Sequence, residues 1–228
     1  MTPPGTQHSD GQPLRSDAER NRGRIIAAAR TVFGRDGLGA SMASVAREAG
    51  VGIATIFRHF RGKEELVAAV FADRMDAYVT AVNDALDVPD PWEGFTGFVE
   101  AICAMQAADR GFADVLTMTF PGAKTLEERR AETFKGFLAL IARAKDSGRL
   151  REDFTNQDLV IVLIANAGVV NFAGDAAPDA WRRLVALLIQ SFQAPARGPL
   201  PDPPQDAALY EAMLRASPAG LTPPAQDT

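Results

Sequence analysis

Proline placement constrains this chain more than any other feature. A proline removes a backbone donor and breaks helix interiors. Three of the fifteen lie before residue 17 and eight after residue 194, leaving only Pro89, Pro91, Pro121 and Pro178 between. The folded body is therefore expected over 17–193, with loose tails at 1–16 and 194–228. The four internal prolines stand where apolar periodicity pauses, which suits helix starts or connections.

Within the body, apolar residues recur at three-and-four spacing, as in Ile25, Ala29, Val32 and Phe33, then Leu66, Val70 and Phe71. That is the period of an amphipathic helix, and strand-like alternation is scarce. The pattern predicts an all-α chain with helices over 18–36, 42–49, 53–59, 63–86, 92–108, 111–119, 123–147, 156–173 and 178–193, and at most one short helix in the proline-rich tail. With 46% hydrophobic and 23% charged residues, the composition is that of a soluble globular protein. The single cysteine, Cys103, excludes an internal disulfide framework and a thiolate-rich zinc site, and suits a reducing cytoplasm. The first sixteen residues hold no apolar run of signal-peptide length. The longest apolar run, 159–170, is interrupted by Asn166 and falls short of the roughly 18 residues a spanning helix needs, so no membrane partner is expected.

Charge is distributed unevenly. Residues 20–63 hold nine Lys or Arg against Asp36 and Glu48, a surplus of seven in a chain whose net charge is -5. A basic N-terminal module on an acidic body implies that a polyanion docks at one end only.

Inside that window the segment SMASVAREAGVGIATIFRHFRGKEEL, from Ser41, reads as helix, glycine turn, short helix and further helix. Ser41 is a natural N-cap, because its hydroxyl can accept from an orphan backbone N–H. Met42, Val45, Ala46 and Ala49 form an inward stripe, and Gly50 can take the left-handed turn conformation at little cost. Val51, Ile56 and Phe60 would anchor the short helix, leaving Ile53, Ala54, Thr55 and Arg58 outward, small enough together to enter a major groove.

The run AREAGVGIATIFRHFRGKEEL closely resembles the DNA-binding signature of TetR-type transcriptional regulators, a resemblance that covers about residues 20–70. It implies an N-terminal three-helix helix-turn-helix domain over 17–62 followed by a helical effector-binding and dimerisation domain over 63–193. Carried over residue by residue, it places Ser41 on the sugar-phosphate backbone and Ile53, Ala54 and Thr55 on base edges, with Phe57, His59 and Lys63 flanking phosphates. Arg58 could reach a guanine or a phosphate. The sequence departs from the family where Gly52 and Gly62 replace common serines and Phe57 replaces a common tyrosine, losing a hydroxyl to phosphate.

The body carries more large apolar groups than one bundle face needs. A mostly apolar cavity is expected, with Phe98, Ile102, Met105, Phe112, Leu116 and Phe137 as candidate lining and Asn166 as a polar handle that must find a partner if buried. The resemblance implies a small-molecule effector there. It also implies a homodimer through the helices near 156–173 and 178–193, where Ala165, Ala167 and Gly168 permit close helix approach. The expected partners are thus double-stranded DNA with a palindromic operator, a second copy of the chain and an effector.

Enzymatic chemistry lacks its usual actors. The two histidines, His8 and His59, lie outside the 63–193 domain, and Cys103 sits on an apolar stripe. Glu127 and Glu128 beside Arg129 and Arg130 read as a solvated helix face. No phosphate-cradling glycine loop or metal motif appears, so no cofactor is expected. The leading reading is a DNA-binding repressor released by ligand. Its alternatives are a dimeric scaffold with a degenerate helix-turn-helix and an all-helical enzyme.

Overall fold

The computed structural model describes residues 12–217, with side chains from residue 17. The outermost stretches expected as loose tails, including His8, lie outside the described residues. Among those described there are ten α-helices and no strand: α1 (Gln12–Asp36), α2 (Met42–Ala49), α3 (Ile53–His59), α4 (Lys63–Asp87), α5 (Pro91–Ala108), α6 (Arg110–Thr117), α7 (Lys124–Asp146), α8 (Asn156–Ala173), α9 (Ala180–Phe192) and α10 (Asp206–Ala216).

Local chemistry sets many of the boundaries. Asp90 caps α5 by accepting from Trp92 N at 2.8 Å and Glu93 N at 3.0 Å, and Pro91 follows at the first helical turn, where its missing N–H costs nothing. Asp109 caps α6 by accepting from Phe112 N at 3.1 Å. At α8, Thr155 and Asp158 form a reciprocal capping box in which Thr155 N donates to Asp158 at 2.7 Å. The helix expected from 18 starts at 12 instead. The other eight expected helices stand within two residues of their expected ends.

Two aromatic assemblies hold the halves. Phe33 of α1, Phe71 of α4 and Phe112 of α6 form a ladder with centroid spacings of 6.5 and 6.3 Å, packing the first helix onto the body. In the body, Phe95 is fully buried and touches the rings of Trp92, Phe137, Phe154 and Phe192 at 5.3–6.5 Å. Ring pairs at such spacings contribute about 0.5–1.5 kcal/mol beyond area burial.

The segment from 194 departs from the expected loose tail. Arg151 lies against Asp153 at 2.5 Å and donates to the Gly198 carbonyl at 2.8 Å, while Leu200 N donates to Asp153 at 2.9 Å. The chain then enters α10, the single short helix foreseen there, which sits on α8 through Gln157 to Asp206 at 2.8 Å. Ser217 closes the arrangement by donating to the Thr119 carbonyl at 3.0 Å. Proline content does stop helices over 194–205, but it does not stop the segment from packing.

Candidate functional site

The α2–turn–α3 unit assembles as the residue pattern requires. Ser41 Oγ accepts from Ser44 N at 3.1 Å and caps α2. Val45, Ala46 and Ala49 are buried, with Met42 packed against them. Gly50 stands at φ 63°, and Val51 N closes the turn on the Ala46 carbonyl at 3.0 Å. A side chain at that φ is disfavoured, which is why glycine occupies the position. Ile56 and Phe60 are buried beneath α3.

The opposite face of α3 is open. Ile53 is 47% exposed and Phe57 50% exposed, large apolar groups in water on a helix of seven residues. Ala54 and Arg58 are exposed, Thr55 and His59 half-buried. Arg58 donates to Thr55 Oγ1 at 3.0 Å, which lays its guanidinium along the outer face. Ser41 is exposed at the start of α2, and Lys63 is half-buried at the start of α4, where burial pulls its pKa down. The eight residues expected at the DNA thus fall on the outer rim of α2, α3 and the α4 start.

Several cations of the basic window serve the fold. Arg22 lies 5.1 Å over the Phe60 ring, Arg24 donates to the Ala49 carbonyl at 2.8 Å, and Arg30 donates to the Val70 carbonyl at 3.0 Å while facing Asp73 at 3.7 Å. Arg35 pairs with Asp36 at 2.7 Å. No carboxylate within ion-pair distance accompanies Arg47, Arg58, Arg61 or Lys63 among the described residues, and these surround α3.

A cavity of about 370 Å³ opens in the body between α4, α7, α8 and α10, within the range for small-molecule sites. Of the seven expected lining residues it contains Leu116 and Phe137. Phe98, Ile102 and Phe112 are spent in the core at 0–1% exposure, and Met105 packs against that core. Asn166 is fully buried and donates to the Cys103 carbonyl at 3.1 Å and to Gln106 at 2.9 Å, so its amide joins α8 to α5. Cys103 itself is buried, and its thiol is pushed up to about 12 by burial.

The lining residues missed from sequence include Tyr78, Thr119, Glu127 and Arg130, with Asp206, Leu209, Tyr210 and Met213 from α10. Arg130 corrects the expectation of a solvated face on α7. It donates to the Met118 carbonyl at 2.7 Å and the Val115 carbonyl at 2.6 Å, and burial pulls its pKa down while Glu127, 3.6 Å away, opposes this. A signal was available: Leu126, Thr133 and Phe137 are the buried stripe of α7, and position 130 falls on it at helical spacing. Reading 127–130 as a charge run concealed that phase.

α8 and α9 also leave an apolar stripe in water. Ile161 and Ile164 are 45% and 44% exposed, Phe172 is 95% exposed, Leu187 51% exposed, and Ala165 and Gly168 lie exposed between them. The 156–176 segment has a mean hydropathy of 1.8 and is long and apolar enough to cross a membrane, which corrects the count based on 159–170 alone. Its fully buried Asn166, bonded to α5, is the contact of a helix packed on protein.

Comparison with known proteins places both halves. Residues 25–70 match the family described as bacterial regulatory proteins, tetR family, and residues 90–193 match the transcriptional regulator SbtR-like C-terminal domain. An HTH-type transcriptional regulator of Staphylococcus aureus (strain USA300) is 37% identical over 75 residues, which is 32% of this chain and only 40% of that protein's length. The fold is similar to that of the fatty acid degradation regulator FadR from Bacillus halodurans, with TM-score 0.54 and 22% identity over 78% of this chain and 97% of that one. It is also similar to the ketosteroid transcriptional regulator KstR2 of Mycobacterium tuberculosis, with TM-score 0.54 and 19% identity over 75% of this chain and 94% of that one.

Proposed function

This chain belongs to the TetR family of bacterial regulatory proteins, and from that premise we propose that it is a homodimeric repressor that reads a palindromic operator through α3 and is released by a small molecule bound in the body. It is a transcriptional regulator with a helix-turn-helix, and it works where the chromosome is, in the cytoplasm. The observation that carries the finer reading is the rim of α3: Ile53, Ala54 and Phe57 exposed on a short helix flanked by Arg47, Arg58, Arg61 and Lys63. Burial does not explain those apolar groups, and internal ion pairs do not consume those cations. Thr55 and Ala54 suit contact with thymine methyls, Arg58 suits guanine or phosphate, and Ser41, His59 and Lys63 suit the backbone. Phe57 contributes sugar contact without a hydroxyl.

Dimerisation follows from the stripe on α8 and α9. Contiguous exposed apolar surface on a soluble protein marks an interaction site, and small residues at Ala165 and Gly168 let a second pair of helices approach. A two-fold pairing would set two α3 helices about 34–36 Å apart, one turn of duplex.

Release requires a ligand that prefers the DNA-incompetent arrangement, because equal affinity for both arrangements shifts nothing. Two sets of contacts lead from the cavity to the elements beside α3, the base of α4 and the chain ahead of α2. Arg130 holds the α6–α7 connection through the Met118 carbonyl, and Gly122 of that connection packs on the Glu64 carboxylate in the first turn of α4. From α6, Asp114 accepts from Leu38 N at 2.9 Å, just ahead of α2. Shifting α6 together with 118–123 would therefore move the support of α2 and the base of α4.

Selection of bound sequences from a random duplex library tests the reading. An enriched two-fold site is expected. Arg58→Ala with Lys63→Ala should weaken binding to it by at least tenfold and flatten the dependence of log affinity on log salt by about two, leaving the dimer intact. Weak, salt-sensitive binding with no enriched sequence would point instead to a scaffold whose reading head is degenerate.

A further inference from the structure

Resting on the effector reading, we propose that the ligand is a neutral, largely apolar molecule whose polar end carries a hydroxyl or carbonyl oxygen, held by the Thr119 hydroxyl and the Arg130 Nε–H. Those two atoms are the observation. Thr119 is 3% exposed, its Oγ1 is buried with no hydrogen-bond partner, and it lines the cavity. Arg130 lines the same cavity, and although its two terminal nitrogens are bound to carbonyls, its Nε is buried without a hydrogen bond. A buried donor left unsatisfied is destabilising, so a cavity walled by two residues that carry one each is complementary to an acceptor brought by a ligand.

The charges around them select its state. Arg130 is the one cation among the lining residues, and Glu127 and Asp206 are both carboxylates. Glu127 Oε2 stands 3.6 Å from that same Nε, within ion-pair distance but too far for a hydrogen bond. An anionic ligand would be a third carboxylate-like charge about a single buried cation, and an ammonium would stand beside the Arg130 cation, whose Nε offers it no acceptor. A neutral oxygen meets neither objection. Tyr78, buried on the same wall, has its phenol pushed up to about 12 by burial and adds no charge. The rest of the lining, Leu116, Phe134, Phe137, Leu159, Leu163 and Met213, takes an apolar body.

The anchor also explains how occupancy would be felt. The Thr119 backbone is bound on both sides by Ser217 beyond α10, accepting at 3.0 Å and donating at 3.4 Å. A ligand oxygen on Thr119 pulls on the connection whose Gly122 backs onto Glu64.

Titration calorimetry on the full chain compares decanol and methyl octyl ketone with decanoate and decylamine, probes of like length that differ in polar end. The two neutral probes should bind at least tenfold more tightly. Thr119→Val keeps the shape and removes the hydroxyl, and should lower decanol affinity about three- to tenfold, one hydrogen bond's worth, with the melting temperature of the ligand-free protein unchanged. Arg130→Ala is the less informative variant, since it also strips two carbonyl contacts from the fold. Decanoate as the tightest probe overturns the neutral class, and an unchanged decanol affinity in Thr119→Val overturns the anchor. Failure of all four probes to bind a protein that still selects an operator overturns the proposed ligand while leaving the regulator in place. Failure to select any operator is the failure of the parent reading and is seen without ligand.

Discussion

The reading head and the body of this protein are both helical, yet they spend their side chains in opposite ways. In α2 and α3 the small inward residues are buried, and what remains outside is a set of cations and two large apolar groups that no packing requirement explains. In the body most aromatics are consumed by their neighbours, as Phe95 is by four other rings, while Phe134, Phe172 and Tyr210 stay exposed, and the functional cavity is what packing leaves over. A surface site is thus visible as residues that do not belong where they are.

The largest effect that would test this contrast is Phe95→Ala. Truncating a buried phenylalanine costs about 3–5 kcal/mol, and denaturant unfolding should show that loss. Phe57→Ala on the open face of α3 should leave stability within about 0.5 kcal/mol while weakening operator binding. Comparable destabilisation by the two variants would break the distinction between core and contact surface.

A smaller effect is expected at Gly50, whose φ of 63° is in the left-handed region. Gly50→Ala should cost about 1–2 kcal/mol by thermal or denaturant unfolding, and it should impair DNA binding because the turn sets α3 against α2. Unchanged stability would mean that the turn tolerates a side chain and that α3 is less firmly placed than its bonds imply.

The smallest effect sharpens the link between the two regions. Burial pushes Asp114 above the usual carboxylate range, partly opposed by the Leu38 N–H it accepts. A carboxylate with a raised folded pKa disfavours the folded state when charged, so its cost is absent at acid pH and appears as pH rises through the ordinary carboxylate range toward neutrality. Asp114→Asn keeps an acceptor for Leu38 and removes the charge. It should therefore leave stability unchanged at acid pH and raise it slightly at neutral pH, as followed by melting temperature. A loss at neutral pH would show that the charge, not the hydrogen bond, holds α2 to α6.

How much was legible depended on the range of the interactions involved. Ser41, Gly50, Ile56 and Phe60 are tied to partners within a few residues, so spacing along the chain was enough to assign them. Asn166 was rightly marked as needing a partner, but that partner lies about sixty residues away on α5, beyond what periodicity can read. Phe98, Ile102 and Phe112 were indistinguishable in sequence from pocket residues, because an apolar side chain carries no sign of whether its neighbour is protein or ligand. Arg130 was hidden for a different reason, having a charge that suggested water and a helical phase that pointed inward.

By itself the sequence determined the helical class, the turn chemistry of α2 and α3, the one-sided basic charge and the apolar surplus of α8 and α9. These rest on local propensity, capping and composition, all properties of neighbouring residues. Only the tertiary structure decided that the proline-rich segment after 193 returns to wall the cavity, that Arg22 and Arg24 brace the module, and that Thr119 and Arg130 are left with polar atoms unmatched. Those outcomes depend on which distant helices meet, and a polar atom becomes unsatisfied only once packing has removed its water.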